Sequence, residues 1–98
     1  MRPIPPELLE IITRGRHRRT LEAETSMDSL GLREVDIVAV ARSGRLRKKS
    51  RDRSLAGRYV WAIIGQDCSG RLCYMAGKVV SRDGEAIWKI ITIHEAAR

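Results

Sequence analysis

The sequence predicts an α+β fold: two to three N-terminal helices, then a three- to four-stranded antiparallel sheet. Three observations carry that reading. Apolar residues in the first half recur at helical spacing. In the second half they form β-branched and aromatic runs. Turn signals, among them Asp83-Gly84, separate those later runs at the short intervals of a meander.

Each element has a local cause. Pro5 and Pro6 suit a helix start, where a missing N–H costs little, and Glu7 follows in the first turn, where negative charge is favoured. Leu8, Leu9, Ile11 and Ile12 then form an apolar stripe that Gly15 stops. After a short basic link, Thr20 caps a second helix running to Leu30, with Leu21, Met27 and Leu30 expected to face inward, and Gly31 breaks it. Glu34 to Arg42 reads as a third helix. Val35, Val38 and Arg42 share one side, Ile37, Val40 and Ala41 widen the apolar face, and Ser43-Gly44 ends it. Tyr59 to Ile64 is a strand, Gln66 to Gly70 a turn, Leu72 to Val80 a second strand, and Ala86 to His94 a third. Strict alternation along the last strand puts Trp88, Ile90 and Thr92 on one face, with Ile87, Lys89, Ile91 and Ile93 on the other. The basic stretch at 45–53 adds a short edge strand, where Lys and Arg discourage unwanted pairing.

The 98 residues support one domain, 1–98, with one modest core. That core must be mostly aliphatic, because there is no Phe and the only aromatics are Tyr59, Trp61, Tyr74 and Trp88. No apolar run approaches the roughly 18–20 residues of a membrane span, and Met1 to Pro6 lacks the apolar stretch of a secretion signal. A reducing cytoplasm is the expected compartment, with no membrane partner. Cys68 and Cys73 flank the Ser69-Gly70 turn signal and are expected as two free thiols. No histidine pair completes a metal site with them, and no Gly-rich phosphate loop appears, so no metal and no cofactor is expected.

Charge says more. The net charge is +7 and the pI about 10.3, which calls for an anionic partner. Arg45, Arg47, Lys48, Lys49, Arg51, Arg53 and Arg58 are opposed within their stretch only by Asp52. Arg14, Arg16, His17, Arg18 and Arg19 make a second cluster, with His17 read as a surface residue or phosphate contact. Like charges this dense repel unless an anion neutralises them, and the arginine fork suits phosphate oxygens. The same stretch also fits a docking surface for an acidic protein.

The ordered features have a counterpart. Arg18-Arg19-Thr20 leads into a helix ending Asp28-Ser29-Leu30-Gly31-Leu32. Lys48-Lys49-Ser50 follows the third helix, and a strand bears Tyr59-Val60-Trp61. A hairpin carries Gly70-Arg71-Leu72-Cys73-Tyr74, and the last strand ends Ile91-Thr92-Ile93-His94-Glu95. Over about residues 7 to 96 this order resembles the MqsR family of messenger-RNA interferase toxins, and a neighbouring family of small uncharacterised domains. The resemblance implies a RelE-like fold, endoribonuclease activity, the toxin role in a type II toxin–antitoxin pair, and a cognate antitoxin. It matches the family's basic residue after the third helix to Lys48 or Lys49, and its mid-strand tyrosine to Tyr74. Where the family has a lysine near the end of the last strand, this chain has His94; where it has a glutamine after the tryptophan, this chain has Ala62.

The chemistry is consistent with those positions. Metal-independent RNA cleavage uses the 2′-hydroxyl as nucleophile and needs a base, an acid and cations for the phosphorane charge. His94 is the candidate acid or base, Tyr74 a hydrogen-bond or proton donor, and Lys49 completes the catalytic set. Lys48, Arg51, Arg53, Arg58 and Arg71 are candidates for holding RNA phosphates, and Tyr59 for stacking on a base. Two other readings use the same features: a non-catalytic module of the same fold binding RNA or an acidic protein, and a helix-mediated interaction domain.

Overall fold

Helices form at the three stripes. In a computed structural model that describes residues 1–53 and 58–96, they are α1 (Pro6–Thr13), α2 (Leu21–Leu30) and α3 (Glu34–Ser43). Local chemistry fixes α2 at both ends. The Thr20 hydroxyl accepts from the Ala23 N–H at 3.1 Å, and Gly31 closes the helix at φ 70°, in the left-handed region. The same hydroxyl donates to Ile91 O at 2.8 Å, so the cap also ties the helix to the sheet. At the start of α3 the Asp36 carboxylate accepts from the Arg33 N–H at 2.9 Å and from the Cys68 N–H at 3.0 Å. Burial alone would raise the Asp36 pKa, but these donors outweigh it and hold the carboxyl below its ordinary value.

The sheet has five strands: β1 (His17–Arg19), β2 (Arg45–Arg51), β3 (Tyr59–Gln66), β4 (Leu72–Arg82) and β5 (Glu85–Glu95), in the order β1-β5-β4-β3-β2. This corrects the sequence reading twice. Among the described residues the strands number five, not three to four, and the sheet is mixed, because β1 pairs parallel to β5. A three-residue charged segment has no period to read; only its pairing with β5 makes it a strand. The edge strand expected at 45–53 forms as β2.

All three helices pack on one face. There Ile12, Met27, Ile37 and Val40 meet Ile63, Met75, Trp88, Ile90 and Ile93, every one fully buried. Leu21 does not face inward; it is 80% exposed. At about 100° per residue it lies well away from the Ala23–Met27 stripe that docks α2. Gly77 lets Trp88 close over β4, since a Cβ there would sit 2.5 Å from Lys89 O and 2.6 Å from the indole ring.

Two β-bulges decide what reaches the other face. Thr92 lies opposite Ala76 while Ile90 lies opposite Gly77, so Ile91 is an extra residue in β5. Strict alternation therefore fails at Thr92. Ile93 joins Trp88 and Ile90 in the core, and Thr92 and His94 turn outward. In β2, Leu46 is opposite Ile63 and Lys48 opposite Ala62, which makes Arg47 the extra residue. Leu46 is buried in the core and Lys48 is exposed.

Candidate functional site

Among the described residues no helix packs on this second face. Its floor is made of small side chains. Ala62 and Ala76 are opposite one another and largely covered, yet they belong to no part of the aliphatic core.

At one end of this floor stand Tyr74 and His94. The two are directly opposite on β4 and β5, and their rings stack with centroids 4.8 Å apart and planes inclined by 16°. His94 Nδ1 lies 3.0 Å from Glu95 O. A carbonyl oxygen only accepts, so Nδ1 is the donor in this contact and Nε2 is the ring nitrogen not engaged by it. Arg47, Lys48, Ile64 and Ala96 complete a cleft of about 510 Å³ around the stacked rings. Arg45 lies opposite Ile64 at the same end. An acid–base group, a phenol and exposed cations thus share one open concavity, a composition suited to proton transfer beside an anionic group.

The remaining expected site residues are divided between two faces. Lys49 is opposite Trp61, on the helix side of the sheet, with its ammonium 4.1 Å from the Tyr59 ring centroid and 4.8 Å from that of Trp61. It is therefore not beside His94. Arg51 is opposite Tyr59 on that same side. Arg58, Tyr59, Trp61 and Val79 line a smaller cleft of about 210 Å³. Arg53 is exposed in the turn after β2.

Arg71 is committed elsewhere. Its Nε donates to Asp67 at 3.1 Å and its Nη2 to Leu30 O at 2.7 Å. Burial would raise the Asp67 pKa, but donors from Ser69 and Arg71 outweigh it and lower it. His17 is likewise a structural residue and not a surface one. Its side chain is fully buried, with Nδ1 2.6 Å from a Glu34 oxygen and Nε2 2.7 Å from Ile12 O. The N-terminal arginines disperse as well: Arg14 pairs with Glu10, Arg16 with Glu85 and Arg19 with Glu34.

Both cysteines are free thiols. Cys73 is buried opposite Gly65, and that burial raises its pKa. A hydrogen bond with Asp36, with smaller help from desolvation, raises that of Cys68. Neither is disposed to act as a thiolate nucleophile. Among the described residues no group of three His, Cys, Asp or Glu side chains gathers as a metal site, and no helix is long and apolar enough to cross a membrane. A depression of about 450 Å³ against α3 is floored by Val35, Val38 and Ala39 and lacks the acid–base pairing of the sheet cleft.

The sequence reading missed Arg47 as a member of the cleft. The alternation Tyr74, Ala76, Lys78 on β4 was a usable signal for the open face, but the bulges that aim Lys48 and His94 onto it leave no such pattern. No protein-family model and no curated protein matches the chain. What the fold and cleft define is a basic α+β protein with one helix-free sheet face carrying a tyrosine–histidine pair.

Proposed function

We propose that the helix-free sheet face binds single-stranded RNA and that the protein cleaves it there as a metal-independent endoribonuclease. The observation that carries this reading is the Tyr74–His94 stack beside Arg47 and Lys48 in one open cleft. In the proposed reaction, His94 Nε2 takes the proton of a 2′-hydroxyl as its oxygen attacks the adjacent phosphorus. Tyr74 donates a proton to the departing 5′-oxygen, giving a 2′,3′-cyclic phosphate and a 5′-hydroxyl end. Lys48 and Arg47 neutralise the charge of the phosphorane, a task for cations held beside the reacting group. The resemblance to the MqsR family adds a biological role, a RelE-like toxin restrained by a cognate antitoxin in the cytoplasm.

One observation favours a second reading, a non-catalytic module that binds RNA or an acidic protein. Ala62, between Lys48 and Ala76, offers no polar group where the family has a glutamine.

The test is incubation with end-labelled single-stranded RNA in EDTA, beside a His94→Ala control. Cleavage to cyclic-phosphate ends by the native chain and not by the control supports the enzyme. Intact RNA in both lanes, together with unimpaired growth on expression, contradicts it and leaves the binding module.

A further inference from the structure

Lys78 lies four residues along β4 from Tyr74, and there the register sets three cations side by side. Lys78 is opposite Lys89 on β5, and Lys89 is opposite Arg18 on β1. Residues 74, 76 and 78 alternate onto the same face, and the Lys78 ammonium reaches across it to Asp52 at 2.8 Å. Like charges directly opposite across a sheet are destabilising. Asp52 offsets one of the three. Among the described residues, neither Arg18 nor Lys89 has an ion-pair partner. The contrast within the N-terminal cluster is sharp. Arg14, Arg16 and Arg19 each meet a carboxylate, while Arg18 is set against a lysine.

Between this row and the Tyr74–His94 pair lie Ala62, Ala76 and Thr92 on the central strands, with the bulged Ile91 next to Thr92 on β5. At about 3.3 Å per residue, the two ends are roughly 13 Å apart along β4. One phosphate group does not reach both, but a polynucleotide strand does.

We infer that Arg18 and Lys89, beside the Asp52-paired Lys78, form a second phosphate-binding subsite, gripping a backbone phosphate of the RNA strand whose reacting phosphate lies at Tyr74 and His94. The inference rests on the RNA reading above and extends it. The substrate is a strand several nucleotides long, laid across the sheet, and a dinucleotide fills only the catalytic end.

The experiment uses uncleavable 2′-O-methyl RNA as a dinucleotide and as an octanucleotide, with the native chain, Lys48→Ala, Lys89→Gln, and Arg18→Gln with Lys89→Gln combined. The double variant is expected to lose on the order of tenfold in octanucleotide affinity, as for loss of a charge-assisted contact. Its salt dependence should flatten by about 0.7 log units per log unit of salt for each phosphate released. Dinucleotide binding should not change, and Lys89→Gln alone should fall between native and double variant. Melting temperatures at or above native show that the sheet is intact. Equal weakening of both oligonucleotides means diffuse charge and overturns the subsite. Unchanged octanucleotide binding, with Lys48→Ala still weakening it, overturns the subsite and leaves the RNA reading standing. No binding of either oligonucleotide by the native chain removes both.

Discussion

Replacing Asp36 with asparagine tests how the helical layer is held to the sheet that carries the cleft. The two carboxylate oxygens of Asp36 accept separate backbone donors, one from Arg33 at the start of α3 and one from Cys68 in the β3–β4 turn. Asparagine keeps the shape but has one acceptor oxygen, so one N–H must face an amide NH₂. Hydrogen bonds to a charged group are worth about 1.5–3 kcal/mol each, and the variant loses one of them and weakens the other. A loss of about 2 kcal/mol is expected at neutral pH, equivalent to a melting temperature lower by roughly 8–16 °C in a chain this small. The assay is urea unfolding followed by the fluorescence of buried Trp88, with the midpoint falling and the slope unchanged. The pH dependence has a definite sign. The folded carboxyl titrates below its ordinary value, so its contribution is complete above about pH 5 and is lost as the solution is acidified through the folded pKa. The gap between variant and native should therefore close in acid. Equal stability at neutral pH, or a gap that persists in acid, would mean that the Asp36 charge does not hold the helical layer to the sheet.

Other outcomes follow from the same geometry. Gly77→Ala places a Cβ 2.5 Å from Lys89 O and 2.6 Å from the Trp88 ring, and should cost about 1–3 kcal/mol, read as a lower melting temperature. Lys48→Ala should weaken RNA binding by several-fold, in line with a lost charge-assisted contact of roughly 1.5 kcal/mol, whereas Lys49→Ala should mainly alter Trp61 fluorescence, because Lys49 covers that ring on the other side of the sheet. In the native protein a thiol reagent should modify exposed Cys68 and reach buried Cys73 only on unfolding. Rapid modification of both would contradict the burial of Cys73.

The helices were legible because their signals are local. Thr20 caps α2, Gly31 ends it, and Ile37, Val40 and Ala41 mark the buried side of α3. The antiparallel core of the sheet was legible for the same reason, through the β-branched run at Tyr59–Ile64 and the Asp83-Gly84 turn. β1 was not, since its three residues become a strand only by pairing with a segment some seventy residues away. The site was half legible. Tyr74, His94 and Lys48 were identified as residue types suited to the chemistry, and they do meet. Their common face was hidden because it depends on the bulges at Arg47 and Ile91, which exchange inside for outside partway along two strands. Without the second bulge, His94 would share the core face with Trp88 and Ile90. Charge counting was the weakest guide, because Arg19 and Arg71 are bound up in the fold.

On the proposed reading, the helix-free face organised around Tyr74 and His94 holds the RNA. Amide and imidazole NMR of the protein during titration with an uncleavable single-stranded RNA reads this face residue by residue. Shifts are expected to concentrate at Lys48, Ala62, Tyr74, Ala76, Thr92 and His94, with those of Val35, Val38 and Ala39 on α3 unmoved. Shifts confined to α3, or to Tyr59 and Trp61 on the helix side, would contradict that reading.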